Sequence, residues 1–277
     1  MTNQATLSRK NRIDATFQAL KRRKQKALIA FITAGDPNLK TTEMLALEFE
    51  RRGVDCLELG YPFSDPVADG PTIQRASNRA LRTGITLKAL FQCTRRLRRK
   101  GLTVPLVLLS YYNPIFRFGE RRFVTEAKRN GMDGVIVPDL PLEEAKALVS
   151  YGKKNRFHLI FMIAPTSDRI RRKKIIRTSG GFIYYVSVTG TTGIRKRLPK
   201  EVIQDVRALK RLTRIPICVG FGVSTPEAAR KVSRVSDGVI VGSAIVQKLE
   251  KFGRTGSRRL KEKLGKYVSS FTKEVHR

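Results

Sequence analysis

Three carboxylates close together at the end of one apolar run are the residues best placed to do chemistry. They are Glu58, Asp65 and Asp69 in "CLELGYPFSDPVADGPTIQ" (56–74). From Val54 to Gln74 there is no lysine or arginine, although the chain carries 56 of them against 23 acidic residues. Average composition would place roughly four cations in such a window. Glu58 stands between Leu57 and Leu59, so on a strand its side chain points away from both, into a region that does not welcome an unpaired charge. Desolvation raises the pKa of such a carboxyl and lets it give and take a proton near neutral pH. Structural readings compete with this: Glu58 paired with a neighbouring arginine, and Asp69 as a turn-forming residue before Gly70.

Missing residues narrow the chemistry. Only two histidines occur, His158 at a strand start and His276 beside the last residue, so neither a histidine metal site nor a Ser-His-Asp triad is expected. No lysine stands at the end of an expected strand, which argues against a Schiff-base mechanism. Walker and Rossmann fingerprints are absent in the context they require. Acid-base chemistry without metal or cofactor remains.

The elements that must position these groups recur along the whole chain. Eight short, continuous apolar runs read as buried parallel strands: "ALIAFIT" (27–33), "CLELG" (56–60), "PLVLLSYY" (105–112), "GVIVPD" (134–139), "HLIFMIA" (158–164), "FIYYVSV" (182–188), "IPICVGF" (215–221) and "GVIVGS" (238–243). Helical spacing appears between them, as in "TTEMLALEFERRG" (41–53), "FVTEAKRNG" (123–131), "LEEAKALVSYGKKN" (142–155) and "PEAARKVSRV" (226–235). Gly53 and Gly131 read as helix C-caps. Uninterrupted alternation predicts an α/β fold, a single (β/α)8 TIM barrel over 1–277 with an extra N-terminal helix; a doubly wound open sheet is the alternative. In a barrel, function sits at the carboxyl ends of the strands. Glu58, Asp69, Asn113, Asp139 and Tyr184 fall there. The turns "TGTTG" (189–193), "GFGVS" (220–224) and "GSA" (242–244) follow the last three strands, where barrels commonly bind phosphate through backbone N–H groups.

The net charge of +33 lies in clusters such as "RRLRRK" (95–100) and "RIRRKK" (169–174). No RNP signature, zinc finger or aromatic-interleaved stripe accompanies them, so a solvated basic exterior is favoured over a nucleic-acid site. No apolar run approaches the roughly 20 residues of a membrane span. Cys56, Cys93 and Cys218 match no metal spacing and read as reduced, buried thiols. A soluble cytoplasmic protein is expected, with no membrane partner.

"FITAGDP" (31–37), "LELGYPFSDPVADGPTIQ" (57–74), "VPDLPLEE" (137–144), "YYVSVTGTTG" (184–193), "GFGVS" and "VGSAIV" (241–246) together resemble the tryptophan synthase alpha subunit, in order and over nearly the whole chain. The resemblance implies a lyase of tryptophan biosynthesis that cleaves indole-3-glycerol phosphate to indole and D-glyceraldehyde 3-phosphate by a retro-aldol step. It makes Glu58 the catalytic acid-base, Asp69 the carboxylate that meets the indole N–H, and Tyr184 the active-site tyrosine. Phe31, Ile73, Tyr111 and Ile136 would line the indole pocket. Gly193, Gly222, Gly242 and Ser243 would hold the phosphate, and Thr192 would close over the site and contact Asp69. Tyr61, Pro62 and Asp65 would face a beta subunit in an α2β2 heterotetramer. Pyridoxal phosphate would belong to that partner, and this chain would carry no cofactor. Departures at Tyr61, Thr191 and Ile194 lie in or near the partner-facing loops. A stand-alone lyase of the same chemistry and a basic barrel that binds nucleic acid are the alternatives.

Overall fold

Every apolar run of the sequence contributes to one sheet whose strands all lie parallel. The computed structural model describes residues 11–186, 200–220, 222–253 and 256–277. The turn at 189–193, with Thr192 and Gly193, lies outside the described residues. In chain order the strands are β1 (Ala27–Thr33), β2 (Cys56–Gly60), β3 (Leu106–Leu109), β4 (Gly134–Ile136), β5 (His158–Ile160), β6 (Met162–Ile163), β7 (Ile183–Tyr185), β8 (Ile217–Gly220) and β9 (Gly238–Val241).

The order β5-β4-β3-β2-β1-β9-β8-β7-β6 runs almost all the way around a barrel. β5 and β6 are the two halves of the single expected strand "HLIFMIA", parted only by Phe161. The first half pairs with β4 and the second with β7. The Phe161 carbonyl accepts the Tyr184 N–H at 3.1 Å, so the ring closes through the split strand. The eight expected strands are therefore nine segments among the described residues, and the (β/α)8 architecture holds.

Side chains alternate across the wall as the pleat demands. On β1, Leu28, Ala30 and Ile32 face the helix layer, while Ala27 and Ile29 join Cys56, Val107, Ile136, Ile160, Cys218 and Ile240 inside. The expected extra helix, α1 (Arg12–Arg22), plugs the amino-terminal end of the barrel. Its Ile13, Phe17 and Leu20 complete the inner cluster, and the Phe17 and Phe182 rings lie 5.8 Å apart. Asn11 caps this helix by accepting the Ile13 N–H at 2.9 Å and ties it to the barrel by donating to the Asp133 carbonyl at 2.7 Å.

Outside lie α2 (Leu39–Arg51), α3 (Pro71–Leu81), α4 (Leu87–Arg99), α5 (Tyr112–Phe118), α6 (Glu120–Arg129), α7 (Lys146–Lys154), α8 (Arg169–Thr178), α9 (Lys200–Leu212), α10 (Pro226–Ser233), α11 (Ser243–Phe252) and α12 (Ser257–Val275). Gly53 and Gly131 follow α2 and α6 with φ of +85° and +94°, the left-handed geometry that ends a helix. Several elements are shorter than the sequence suggests. "PLVLLSYY" leaves the sheet after Leu109, because the Asp139 carboxylate accepts the Tyr112 N–H at 2.9 and 3.2 Å where α5 begins. "GVIVPD" stops at Ile136, "GVIVGS" stops at Val241, and "LEEAKALVSYGKKN" is helical only from Lys146. No helix of the described residues is long and apolar enough to cross a membrane.

Candidate active site

Glu58 stands two residues beyond Cys56 on β2 and shares its face, so it points into the barrel. Its neighbours across the sheet are Phe31 on β1 and Val107 on β3. It is 1% exposed, and Oε2 has no hydrogen-bond partner among the described residues. The arginine pairing considered from sequence does not occur among the described residues: burial comes first, and the Asp69 charge second, in pushing the carboxyl up to about 8. Near neutral pH this group holds its proton, yet is close enough to losing it to act in both directions.

Asp69 lies in the loop between β2 and α3, directly before Gly70, the residue that caps α3. It is half-buried, and burial raises its pKa against the lowering effect of a hydrogen bond from the Tyr111 side chain. The Tyr111 hydroxyl also accepts the Ala68 N–H at 2.9 Å. Its ring stacks on Phe63, with centroids 5.1 Å apart and planes at 27°. Tyr111 thus pins the acidic loop at Phe63, Ala68 and Asp69, and holds the Asp69 carboxyl where its charge reaches Glu58.

Tyr184, on β7, also points inward. Burial is the main reason its phenol is held far above its ordinary range, with the Glu58 charge next, so it remains a neutral donor. Gly220 on β8 makes room for it, since a Cβ there would fall 2.6 Å from the Tyr184 Cζ. Gly60 does the same for Phe31, whose ring would meet a Cβ at 2.6 Å. Phe31 packs with Ala76, Val246, Ile73 and Leu109 to form an apolar wall above the barrel core, and Ile136 is fully buried in the layer below. Leu109, Gly60 and Gly220 were not among the sequence candidates. Strand parity with Val107 is the signal that marks Leu109; the two glycines are spacers for aromatic rings from neighbouring strands, which a linear sequence does not show.

At the ends of β8 and β9, Gly222 takes φ +52° and lies exposed, while Gly242 precedes Ser243, the first residue of α11. The start of α11 has no side-chain cap, which leaves its N–H groups available to an anion. Gly242 lies beside the same ring, 3.4 Å from the Phe31 Cβ for an added methyl carbon. The structure therefore brings Glu58, Asp69, Tyr184 and the apolar wall to one end of the barrel, with the α11 terminus on the β9 side.

Other candidates lie elsewhere. Asp139 is taken up in capping α5, and Asn113 lines an outer groove of about 380 Å³ with Tyr61, Pro62, Phe63, Leu87 and Phe118. Asp65 is exposed and contacts the Ser64 hydroxyl. Groups of three or more potential metal-ligating acids, histidines or cysteines do not occur among the described residues.

Comparison with known proteins agrees with this geometry. The family model described as tryptophan synthase alpha chain matches residues 17–276. The tryptophan synthase alpha chain of Geotalea daltonii is 47% identical over 259 residues, which cover 94% of this chain and 97% of the relative. That of Citrifermentans bemidjiense is 48% identical over 265 residues, covering 96% and 98%. Among solved structures, the alpha chain from Legionella pneumophila superposes with a TM-score of 0.87 at 34% identity, over 96% of this chain and 97% of the other. A chain of the tryptophan synthase complex from Pyrococcus furiosus gives 0.79 at 37% identity, over 89% and 98%. With the family model spanning residues 17–276 and curated relatives 47–48% identical almost from end to end, the chain belongs to the tryptophan synthase alpha chain family.

Proposed function

We propose that the family's lyase reaction, retro-aldol cleavage of indole-3-glycerol phosphate to indole and D-glyceraldehyde 3-phosphate, is carried in this chain by Glu58 with Asp69 as its partner. The observation that carries the assignment is a fully buried glutamic acid, without a cationic partner among the described residues, which burial and the Asp69 charge push up to about 8. Protonated Glu58 gives its proton to indole C3. Positive charge then develops on the ring nitrogen, and the Asp69 carboxylate accepts the N–H that bears it. The glycerol hydroxyl beside the ring returns a proton to Glu58, its oxygen becomes the aldehyde carbonyl, and the electrons of the broken carbon–carbon bond restore the aromatic ring. The acid ends in its starting state. Tyr184 borders the reacting atoms as a neutral hydroxyl, while Phe31, Ile73, Tyr111 and Ile136 surround the apolar ring. Gly222, Gly242 and Ser243, with Gly193 and Thr192 outside the described residues, hold the phosphate and close the site.

A beta subunit is the proposed partner, in an α2β2 assembly in which pyridoxal phosphate resides on the partner. The docking face runs from Tyr61, Pro62 and Asp65 to Val67 and Phe116, which are 84% and 64% exposed, large apolar groups on the rim of the site. A cytoplasmic location follows from this assignment. The test is indole release from indole-3-glycerol phosphate by wild type and Glu58→Gln, with and without a beta subunit. Turnover that rises with beta and disappears in the variant is expected. Strong turnover indifferent to beta would make the chain a stand-alone lyase, and absence of indole under every condition would overturn the assignment.

A further inference from the structure

Three buried side-chain atoms have no hydrogen-bond partner among the described residues: Glu58 Oε2, Thr33 Oγ1 and Ser179 Oγ. Leaving a buried hydroxyl unpaired is costly, so each such atom calls for a reason. Glu58 has one in the chemistry. Ser179 follows α8 at the far end of the barrel. Thr33, 1% exposed, ends β1, two residues beyond Phe31 and on the same face, with Gly60 of β2 opposite it.

The sheet order gives Thr33 its meaning. β1 pairs with β2 on one side and with β9 on the other. Glu58 belongs to β2, and Gly242 and Ser243 follow β9. A molecule with its aromatic carbon at Glu58 and its phosphate at the start of α11 therefore crosses the end of β1. The side chains that β1 turns to this face there are Phe31, which is apolar, and Thr33. The segment that crosses is a glycerol chain carrying hydroxyls, and a hydroxyl both donates and accepts.

We propose that the Thr33 hydroxyl is a substrate-binding group for the glycerol portion of the phosphorylated substrate, hydrogen-bonded to one of its hydroxyls and fixing the chain between Glu58 and the phosphate. The inference rests on the functional assignment above and extends it to a residue that neither spacing nor resemblance singled out. Thr33 sets the torsion of the chain and so the approach of the scissile bond to Glu58; it exchanges no proton with the ring.

The test uses the full chain in wild-type, Thr33→Val, Thr33→Ser and Glu58→Gln forms. Valine keeps the shape of threonine and removes only the unpaired hydroxyl, so Thr33→Val is expected to melt at or above the wild-type temperature. Its kcat/KM for indole-3-glycerol phosphate is expected to fall about tenfold, the size of one lost neutral hydrogen bond, with Thr33→Ser close to wild type. Two probes separate recognition from folding. Wild type and Thr33→Ser should bind glycerol 3-phosphate about tenfold more tightly than n-propyl phosphate, which lacks the hydroxyls, and Thr33→Val should bind the two alike. Full activity with retained discrimination in Thr33→Val would overturn the inference and leave the functional assignment standing. Absence of indole release from wild type would overturn the assignment itself, and this inference with it.

Discussion

Asp69 acts on Glu58 through its charge, without a hydrogen bond between them among the described residues, and this charge adds to burial in keeping the Glu58 carboxyl protonated. Neutralising Asp69 should therefore lower the pKa of Glu58. Titration followed by the infrared carbonyl band of the acid should show a midpoint at about 8 in wild type and a lower one in Asp69→Asn. In the proposed mechanism the protonated acid starts the reaction, so wild-type kcat/KM should decline as pH rises through the same midpoint. An unshifted midpoint in Asp69→Asn would leave burial as the sole cause.

The same carboxyl makes stability depend on pH. Its folded pKa of about 8 exceeds its ordinary 4.5, so between these values the folded state holds a proton that the unfolded chain has lost. Stability must fall with rising pH across that window and level off above it, by at most ~5 kcal/mol. Glu58→Gln should abolish this slope and leave the protein more stable than wild type under alkaline conditions. Denaturant midpoints from about pH 5 to about pH 9 would check it.

Gly220→Ala should damage activity far more than folding. The added methyl would lie 2.6 Å from Cζ of Tyr184, and the ring must move. A fall in kcat of at least about tenfold, with a nearly unchanged circular dichroism spectrum, is expected.

Arg79 makes two hydrogen bonds to the carboxylate of buried Asp36, at 2.8 Å each, and a third to Glu250 on α11, also at 2.8 Å. Arg79→Met should cost about 3 kcal/mol, because it leaves Asp36 buried and unpaired. The exposed pair Lys266–Glu262 on α12, 2.8 Å apart, offers the contrast: Lys266→Met should leave the unfolding midpoint nearly unchanged, because solvent screens the pair. Urea unfolding of both variants would compare them directly.

Phe17→Ala opens the plug at the bottom of the barrel and should cost about 3–5 kcal/mol. Because Phe17 lies at the end opposite Glu58, kcat of the folded variant should stay near wild type. A variant with normal stability would mean that α1 closes nothing.

How much of this was legible in advance depends on whether a feature is local or shared between strands. β1 and β2 run over the residues expected, since continuous apolar character is a local property of a strand buried on both faces. Glu58 was equally legible, because a lone carboxyl between two leucines is anomalous wherever its strand packs. The split at Phe161 was not: its two neighbours, β4 and β7, come from distant parts of the chain. Asp139 read as a functional residue from its place after a strand, and the structure gives its carboxylate to the Tyr112 N–H across a separation that spacing alone cannot reveal. Gly60 and Gly220 belong to the same class, for each is defined by a ring on another strand. Thr33 lies in plain view in "FITAGDP", but only burial without a partner distinguishes it from any strand threonine.

The surplus of cations and their absence from the stretch Val54 to Gln74 around Glu58 divide the protein's work between approach and reaction. A net charge of +33 surrounds the molecule with a field that draws a doubly charged phosphate ester from solution and speeds encounter. At the proposed phosphate site, formed by Gly222, Gly242 and Ser243, that attraction would give way to backbone dipoles and an uncharged hydroxyl, which salt screens poorly. Ionic strength should therefore govern capture and leave turnover alone, with kcat/KM falling as salt rises while kcat holds constant. The exterior recruits, and the interior reacts.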